Sequence, residues 1–181
     1  MEKFEEKEMS SKRIFDGRLL GLRVDTVELP NNIQSTREIV EHPGAVAVIA
    51  LTKDNEMVLV RQFRRPTGEV LLEVPAGVPQ KGEKGEDAAR RELEEETGYH
   101  AKKVTKAWEA YTTPGYSNEL IQYYIAQDMN LMRTHADEDE FMEAELVDFD
   151  LCLDLVKTGK IKDNKTIVGV MIAELFLKGA L

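Results

Sequence analysis

The sequence has one cysteine, Cys152, among its 181 residues. A single thiol excludes an intrachain disulfide and any zinc site built from several cysteines. Leucines occupy positions 151, 153 and 155, a setting that favours a packed thiol over a reactive nucleophile. The chain also lacks an apolar run near the ~20 residues that a membrane-spanning helix requires, so we expect no membrane partner.

Basic residues are the minority, with 24 Lys and Arg against 34 Asp and Glu, for a net charge of −10. This balance argues against nucleic acid as a partner, because binding a phosphate backbone depends on many cations that displace counterions. It does not exclude a small anionic substrate, since bound divalent cations and a few arginines reverse the local field. Residues 1–13 are charged where a signal peptide would be apolar. We therefore expect a cytoplasmic protein whose first 13 residues are loosely attached.

Apolar residues make up 42% of the chain and charged residues 32%, the composition of an ordinary globular protein. The length predicts a single domain over residues 1–181. Apolar alternation and short apolar runs predict strands at residues 20–29, 35–41, 45–51, 57–63, 71–74, 101–110, 120–128 and 145–147. Helices are predicted within residues 77–99, after a cap at Asp148 and after a cap at Asn164. This order predicts an α/β fold, an α/β/α sandwich with a mixed central sheet and an N-terminal antiparallel β extension.

The segment from Gly77 to Tyr99 is the most informative part of the chain. It predicts a loop followed by a helix, with Gly98 in the left-handed position that ends many helices. Glu92, Glu95 and Glu96 are three or four residues apart and share one helix face, where each like-charge pair costs about 0.2–0.5 kcal/mol. Bound cations would offset that cost. A solvated acidic helix is the alternative.

The spacing within this segment follows the pattern G-x5-E-x7-R-E-U-x-E-E-x-G-U, in which U is a bulky apolar residue. Every fixed position matches: Gly77, Glu83, Arg91, Glu92, Leu93, Glu95, Glu96, Gly98 and Tyr99. A chance match in a chain of this length is rarer than about one in ten thousand at ordinary residue frequencies. The pattern resembles the Nudix box, the signature of Mg²⁺-dependent hydrolases that cleave a nucleoside diphosphate linked to another moiety.

Hydrolysis of a diphosphate requires neutralised oxygen charge, an activated water molecule and alignment of the two. Carboxylate oxygens favour Mg²⁺ or Mn²⁺ as the cofactor. Glu92 and Glu96 lie one helical turn apart and are predicted to ligate the same ions, with Glu95 bridging or beside them. Arg91 precedes Glu95 by four residues, so we expect it to orient carboxylates.

Beyond the box, the chain resembles the ADP-ribose pyrophosphatase subfamily over nearly its full length. The marker is Pro114, about fifteen residues after the box, followed by Gly115. Residues 37–39, 42–45, 62–64 and 73–77 are also similar. The resemblance implies cleavage of ADP-ribose to AMP and ribose 5-phosphate by a homodimer that exchanges N-terminal strands. Residues 1–42 would form the dimerisation region and residues 43–181 the catalytic core.

The resemblance also implies roles for individual residues. The metal ligands would be the Ala76 carbonyl, Glu92, Glu96 and Glu140. The water-activating base would be Glu138, with Glu119 as a competing candidate. The substrate-binding residues would be Arg37, Arg64, Pro114 and Gly115.

Several alternatives stay open. Arg64 is equally well explained as a surface arginine, and residues 135–141 as a solvated acidic loop. The same chemistry would serve another substrate, such as GDP-mannose, NADH or FAD. A non-catalytic module that binds ADP-ribose is a third interpretation, although it predicts a degraded box and this box is intact.

Overall fold

The structure, a computed structural model, describes residues 3–132 and 141–181. The strands are β1 (Lys7–Asp16), β2 (Gly21–Glu28), β3 (Gln34–Glu41), β4 (Ala45–Ala50), β5 (Glu56–Arg64), β6 (Glu69–Glu73), β7 (Ala76–Gly77), β8 (Tyr99–Tyr111), β9 (Leu120–Leu131) and β10 (Met142–Asp148). The helices are α1 (Gly85–Thr97), α2 (Phe149–Lys157) and α3 (Asn164–Leu177). In the described ranges, no helix has both the length and the apolarity needed to cross a membrane.

The chain divides into two compact units. Unit 1 comprises Met1–Gly44 and Tyr111–Leu120, and unit 2 comprises Ala45–Ala110 and Ile121–Leu181. The prediction of one domain, with residues 1–42 as a dimerisation region, stays a prediction.

Unit 1 is built on an antiparallel sheet in the order β1-β2-β3. Strand β1 corrects the expectation that residues 1–13 are loosely attached, because it pairs with β2 from Lys7 opposite Glu28 to Asp16 opposite Gly21. The apolar pattern does not reveal this strand, since all ten of its residues are exposed and its register shifts twice. Backbone pairing holds it in place.

The second segment of unit 1 is the loop between β8 and β9. Its backbone joins the end of β3: the Val40 amide donates to the Tyr116 carbonyl at 2.8 Å, and the Asn118 amide donates to the Val40 carbonyl at 3.3 Å. The loop that contains Pro114 is thereby attached to the N-terminal sheet.

Unit 2 contains two sheets. In the order β7-β4-β9-β8, strand β4 runs parallel to β9 and antiparallel to β7, which gives the predicted mixed sheet. The second sheet has the order β10-β5-β6, and β5 is antiparallel to both neighbours. The prediction of one central sheet is thus refined, because the strands of unit 2 divide between two.

Strand β4 is buried on both faces, which explains its continuous apolar sequence. On one face Val46, Val48 and Ala50 pack with residues of α1: Ala88, Ala89 and Leu93. On the other face Ala47 and Ile49 pack with residues of α2 and α3: Cys152, Val170, Ile172 and Ala173. Each fully buried Val, Ile or Leu side chain contributes about 1.5–3 kcal/mol. A helical layer therefore covers each face, and the predicted α/β/α sandwich is confirmed.

Cys152 belongs to this core, with none of its surface exposed. Its Sγ donates to the Val147 carbonyl at 3.7 Å. Burial raises the pKa of the Cys152 thiol to about 12. The interpretation of Cys152 as a packed thiol is confirmed.

The helix ends follow the predicted signals in two cases of three. Gly98 adopts the left-handed conformation with φ of 73° and its amide donates to the Glu94 carbonyl. Asp148 caps α2, because its side chain accepts hydrogen bonds from the amides of Asp150 and Leu151. The predicted cap at Asn164 is wrong by one residue: Asp163 has the extended backbone of a cap and accepts from an amide in the first turn of α3.

Candidate active site

The acidic face of α1 lies against the short strand β7, and the fold of unit 2 explains why. Strand β7 pairs with β4, with Gly77 opposite Val46 and Ala76 opposite Ala47. Helix α1 packs its Ala88, Ala89 and Leu93 against the same strand, β4. Because one strand anchors both elements, β7 and the glutamates of α1 are held next to each other.

Two contacts define this junction. The Ala76 amide donates to Glu96 Oε2 at 3.1 Å, and Glu96 is only 8% exposed. A Cβ atom built on Gly77 would lie 2.1–2.3 Å from the carboxylate atoms of Glu92. The missing side chain of Gly77 thus leaves room for the Glu92 carboxylate. Three predicted metal ligands of unit 2, namely Ala76, Glu92 and Glu96, lie together here.

Arg91 lies at the centre of a group of carboxylates on the same helix and its preceding loop. Its nitrogens form ion pairs with Glu83 at 3.0 Å, Glu92 at 2.8 Å and Glu95 at 2.7 Å. The hydrogen bonds with Glu83 are the largest cause of a raised pKa of Arg91, and in turn Arg91 lowers the pKa of the Glu83 carboxyl. We call these four residues the Arg91 cluster. Its geometry agrees with the predicted role of Arg91 in orienting carboxylates.

The donor atoms at this junction suit a hard divalent cation. The carboxylates of Glu92 and Glu96, one helical turn apart, and the backbone of Ala76–Gly77 provide several oxygen atoms, which hard cations prefer as ligands. The Arg91 cluster also has more carboxylates than cations. Within residues 3–132 and 141–181, no three His, Cys, Asp or Glu side chains are arranged to hold a metal by themselves. The predicted ligand Glu140 and the predicted base Glu138 lie outside the described residues.

Arg64, a predicted substrate ligand, forms a two-pronged contact with Glu73. Its Nε and Nη2 donate to the two carboxylate oxygens at 2.8 and 2.7 Å. Glu73 is fully buried, whereas the side chain of Arg64 is 40% exposed. A second cation, Lys165, also contacts Glu73. Substrate binding by Arg64 stays a prediction, and the structure adds that its guanidinium is anchored on one edge.

Sequence reasoning missed Glu73 and Lys165. A signal for Glu73 exists, because it is a carboxylate at the end of an apolar strand, between Leu72 and Val74. A buried carboxylate requires a cationic or hydrogen-bonding partner. The partner Lys165 is 92 residues away in the chain, and nothing local points to it.

Arg37, another predicted substrate ligand, lies in unit 1 on β3. Its guanidinium pairs with Glu6 through Nε at 2.9 Å and Nη2 at 2.5 Å, and Nη1 donates to Ser35 Oγ at 3.0 Å. The hydrogen bonds with Glu6 are the largest cause of the raised pKa of Arg37. Its side chain is 38% exposed, so a face of the guanidinium is accessible.

Glu119, the competing candidate for the base, also lies in unit 1. Its Oε2 accepts from Thr112 Oγ1 at 2.8 Å, and its Oε1 is 3.6 Å from His42 Nδ1. That nitrogen accepts a hydrogen bond from the Gly44 amide at 3.1 Å and forms none with Glu119. Thr112 is therefore the side-chain donor that orients Glu119.

Pro114 and Gly115 lie in a tight turn of the same loop. The amides of Tyr116 and Ser117 both donate to the Thr113 carbonyl, at 3.1 and 3.0 Å. The predicted site residues are thus distributed over the two units. Unit 1 contains Arg37, Pro114, Gly115 and Glu119; unit 2 contains Arg64, Ala76, Arg91, Glu92, Glu95 and Glu96.

Comparisons with known proteins agree with the acidic helix and the strand beside it. The NUDIX domain family matches residues 41–167. The chain is 43% identical over 177 residues to the ADP-ribose pyrophosphatase of Bacillus subtilis (strain 168), covering 97% of this chain and 96% of that protein. It is 44% identical over 174 residues to the methanol dehydrogenase activator of Bacillus methanolicus, covering 95% and 94%.

A solved crystal structure of an ADP compounds hydrolase has the same fold, with a TM-score of 0.86 and 22% identity over 97% of this chain and 95% of that one. The chain belongs to the Nudix hydrolase family, and the resemblance predicted from residues 77–99 is confirmed. Enzymes of this family generally depend on divalent metal ions.

Proposed function

We propose that this chain hydrolyses the diphosphate bond of ADP-ribose to AMP and ribose 5-phosphate, with Mg²⁺ or Mn²⁺ as cofactor. The observation that carries the proposal is the junction of Glu92 and Glu96 with Ala76–Gly77 on an intact Nudix box. The choice of ADP-ribose is supported by the identity to the Bacillus subtilis enzyme over nearly the whole of both chains.

Each group has a defined part in this chemistry. A divalent cation, when bound, neutralises charge on the diphosphate oxygens. Glu92, Glu96 and the Ala76 carbonyl would hold it, and Arg91 keeps Glu92 and Glu95 oriented through ion pairs. Glu140 is proposed as the remaining ligand.

Arg37, Arg64, Pro114 and Gly115 are proposed to bind the substrate. A guanidinium suits a diphosphate because two parallel N–H bonds meet two oxygens. Arg64 keeps Nη1 outside its contact with Glu73, since that contact uses Nε and Nη2. Tyr116 is 58% exposed in the loop with Pro114, where it offers an aromatic surface.

We also propose a homodimer formed through the N-terminal strands. All ten residues of β1 are exposed, including Met9, Ile14 and Phe15 at 47%, 50% and 57%. Strand β1 also lies at the edge of its sheet, and an edge strand presents unpaired backbone groups with which a second chain can pair. Light scattering should give twice the chain mass for the full protein and a smaller mass after removal of residues 1–16. A full-length monomer would refute the dimer.

The substrate is tested directly by product analysis. The protein is incubated with Mg²⁺ and, separately, ADP-ribose, ADP-glucose, GDP-mannose, NADH and FAD, and products are separated by chromatography. We expect AMP and ribose 5-phosphate from ADP-ribose at the highest kcat/KM, and no product after chelation of the metal. Faster cleavage of another member of the panel would reassign the substrate. No cleavage of any member would leave a binding module as the better interpretation.

The base is assigned by comparing Glu138→Gln with Glu119→Gln. The variant that removes the base should lower kcat by about 100-fold or more with little change in the Mg²⁺ requirement. We expect this result for Glu138→Gln. The same loss in Glu119→Gln alone would transfer the role to Glu119.

A second candidate function is activation of a methanol dehydrogenase. It is favoured by the 44% identity to the Bacillus methanolicus activator over 95% of this chain. Adding the protein to a purified methanol dehydrogenase should raise the rate of methanol oxidation if this function is present. Glu96→Gln, added in the same assay, shows whether activation requires the hydrolytic site.

A further inference from the structure

The carboxylate of Glu73 lies outside the Nudix box and is the centre of a separate group of ion pairs in unit 2. Glu73 is the last residue of β6 and is fully buried. It contacts Arg64 from β5 and Lys165 from α3. Burial by itself would raise the pKa of the Glu73 carboxyl, but Arg64 and Lys165 lower it below its ordinary value. The carboxylate is therefore ionised, and both cations stabilise its charge.

Lys165 has an unfavourable position within its own helix. It is the second residue of α3, and the N-terminal turn of a helix disfavours positive charge. Its side chain is only 12% exposed, so it is not simply solvated. It contacts Glu73 and lies 3.0 Å from Asp163 Oδ2, and these two carboxylates explain its placement.

The same end of α3 holds the segment that follows Glu73. The Val74 amide donates to Thr166 Oγ1 at 2.9 Å, and Thr166 is fully buried. Two residues further, the Ala76 amide donates to Glu96 Oε2 at 3.1 Å. Residues 73–76 are thus attached on one side to α3 and on the other to the acidic face of α1.

We propose that Lys165 is a positioning residue: together with Arg64 it holds Glu73, and thereby sets Ala76 and Gly77 against Glu96 and Glu92. Lys165 acts through Glu73 and does not contact the substrate. The arrangement predicts that loss of its charge loosens residues 73–77 and displaces the backbone beside the two glutamates. A displacement of about 1 Å at a catalytic centre lowers turnover by up to ~100-fold.

The test compares Lys165→Met with Lys162→Met. Lys162 is the matched control. It precedes α3 and also forms an ion pair with a glutamate of β6, Glu69, at 2.7 Å, but both side chains are more than 45% exposed. Two measurements are made on each full-length variant. Hydrogen–deuterium exchange with no substrate present reports on the amides of Val74, Ala76 and Gly77, since Pro75 has none, and steady-state kinetics reports kcat and KM for ADP-ribose.

In Lys165→Met we expect exchange at residues 74–77 to be about tenfold faster, kcat to be about tenfold lower and KM to stay within twofold. Lys165→Arg, which restores the cation, should recover most of both losses, and Lys162→Met should match the wild type. Wild-type exchange at 74–77 in Lys165→Met would overturn the proposal. So would an equal rise in exchange over all of unit 2, because that pattern indicates general destabilisation.

Lys165→Gln covers the case in which Lys165→Met does not fold, since its amide still donates to Glu73 without the charge. It should show an intermediate rise in exchange at 74–77, and wild-type exchange there would refute the proposal. The kinetic reading rests on the proposed function, whereas the exchange reading does not. If the wild type fails to cleave ADP-ribose, the proposed function fails and the exchange data still decide the role of Lys165.

Discussion

Two groups of ion pairs in unit 2 have opposite compositions. In the Arg91 cluster one cation serves three carboxylates, and the side chain of Glu95 is 42% exposed. Around Glu73 two cations serve one fully buried carboxylate, and Asp163 adds a further negative charge beside Lys165. The first group retains excess negative charge, as a site for a divalent cation requires. The second is charge-balanced around a fully buried carboxylate, as a structural support requires.

The two groups differ in how much an unpaired charge costs in stability. Removing one partner of a buried carboxylate destabilises the folded protein by about 3–5 kcal/mol. Partly exposed carboxylates tolerate imbalance because water screens them, and a bound cation then adds favourable energy. Substitutions in the first group should therefore lower activity with little loss of stability, whereas substitutions in the second should lower stability and affect activity only through the position of residues 73–77.

The largest effect is expected for Glu96→Gln. It keeps the size of the side chain and the acceptor for the Ala76 amide but removes the charge that would ligate the metal. We expect kcat for ADP-ribose to fall by about 100- to 1000-fold, with a thermal midpoint within a few degrees of wild type. Steady-state kinetics and thermal unfolding measure the two.

Glu94→Gln is the matched control for that variant. Glu94 is on the same helix but pairs with His100 at 3.0 Å instead of facing β7. It should keep activity within twofold of wild type. An unchanged kcat in Glu96→Gln would remove the contrast between the two groups, since it would place the chemistry elsewhere.

The second effect is expected for Glu73→Gln, which leaves Arg64 and Lys165 without their shared counter-charge. The free energy of unfolding should fall by about 3 kcal/mol at pH 7, measured by urea denaturation. Arg61→Gln is the control, because the side chains of Arg61 and Glu145 are 50% and 36% exposed, whereas Glu73 is fully buried. A loss below about 1 kcal/mol in Glu73→Gln would show that burial does not separate the groups.

The pH dependence of the free energy of unfolding tests the same comparison. The pKa of Glu73 is lower in the folded protein than in the unfolded chain, so the folded state binds fewer protons at acid pH. This stabilisation is complete above the unfolded carboxyl pKa, about 4.3, and is lost as pH falls through the folded value. Wild-type stability should therefore decline below about pH 5, and Glu73→Gln should show a shallower decline. Parallel slopes in urea titrations at several pH values would contradict this assignment.

A third, smaller effect is expected for Gly77→Ala. The added Cβ would meet the Glu92 carboxylate at 2.1–2.3 Å, and the flexible end of Glu92 moves aside more easily than the backbone does. We expect kcat to fall by about tenfold and the Mg²⁺ concentration for half-activity to rise, with little loss of stability. In Gly77→Ala/Glu92→Asp the shorter carboxylate should recover part of the metal affinity. No recovery would indicate that β7 itself is displaced.

The smallest effect is expected for Asp154→Asn, which breaks the Lys157–Asp154 pair. Both side chains are about two-thirds exposed, at 68% and 69%. Such a pair contributes less than about 0.5 kcal/mol. Urea denaturation should therefore detect almost no change, and a loss above 1 kcal/mol would show that exposure is a poor guide to these pairs.

Much of the fold was predictable because its signals are local. Strand β4 is a continuous apolar run, and Gly98 has a left-handed backbone conformation that glycine adopts at less cost than other residues. The Nudix box is also local, since three glutamates share a helix face through spacing alone. Strand β1 was missed because its order depends on pairing with β2 and its side chains are all exposed.

The predicted site shows the same division. Glu92 and Glu96 were predicted from the motif and Ala76 from the family resemblance, and the structure brings the three together. The contact of Arg64 with Glu73 was not predicted, because two strands must pair before the two side chains meet. The roles proposed for Glu119, Pro114 and Arg37 remain predictions, as do those of Glu138 and Glu140.

By itself the sequence determined the family, the acidic helix and the order of most strands, since these depend on periodicity and on motif spacing within about 25 residues. The tertiary structure alone decided which charges are balanced. Lys165 reaches Glu73 across 92 residues, and Gly77 meets Glu92 only because β7 and α1 are both anchored on β4. Burial and ion pairing depend on the distance between residues in space, which cannot be deduced from their separation along the chain.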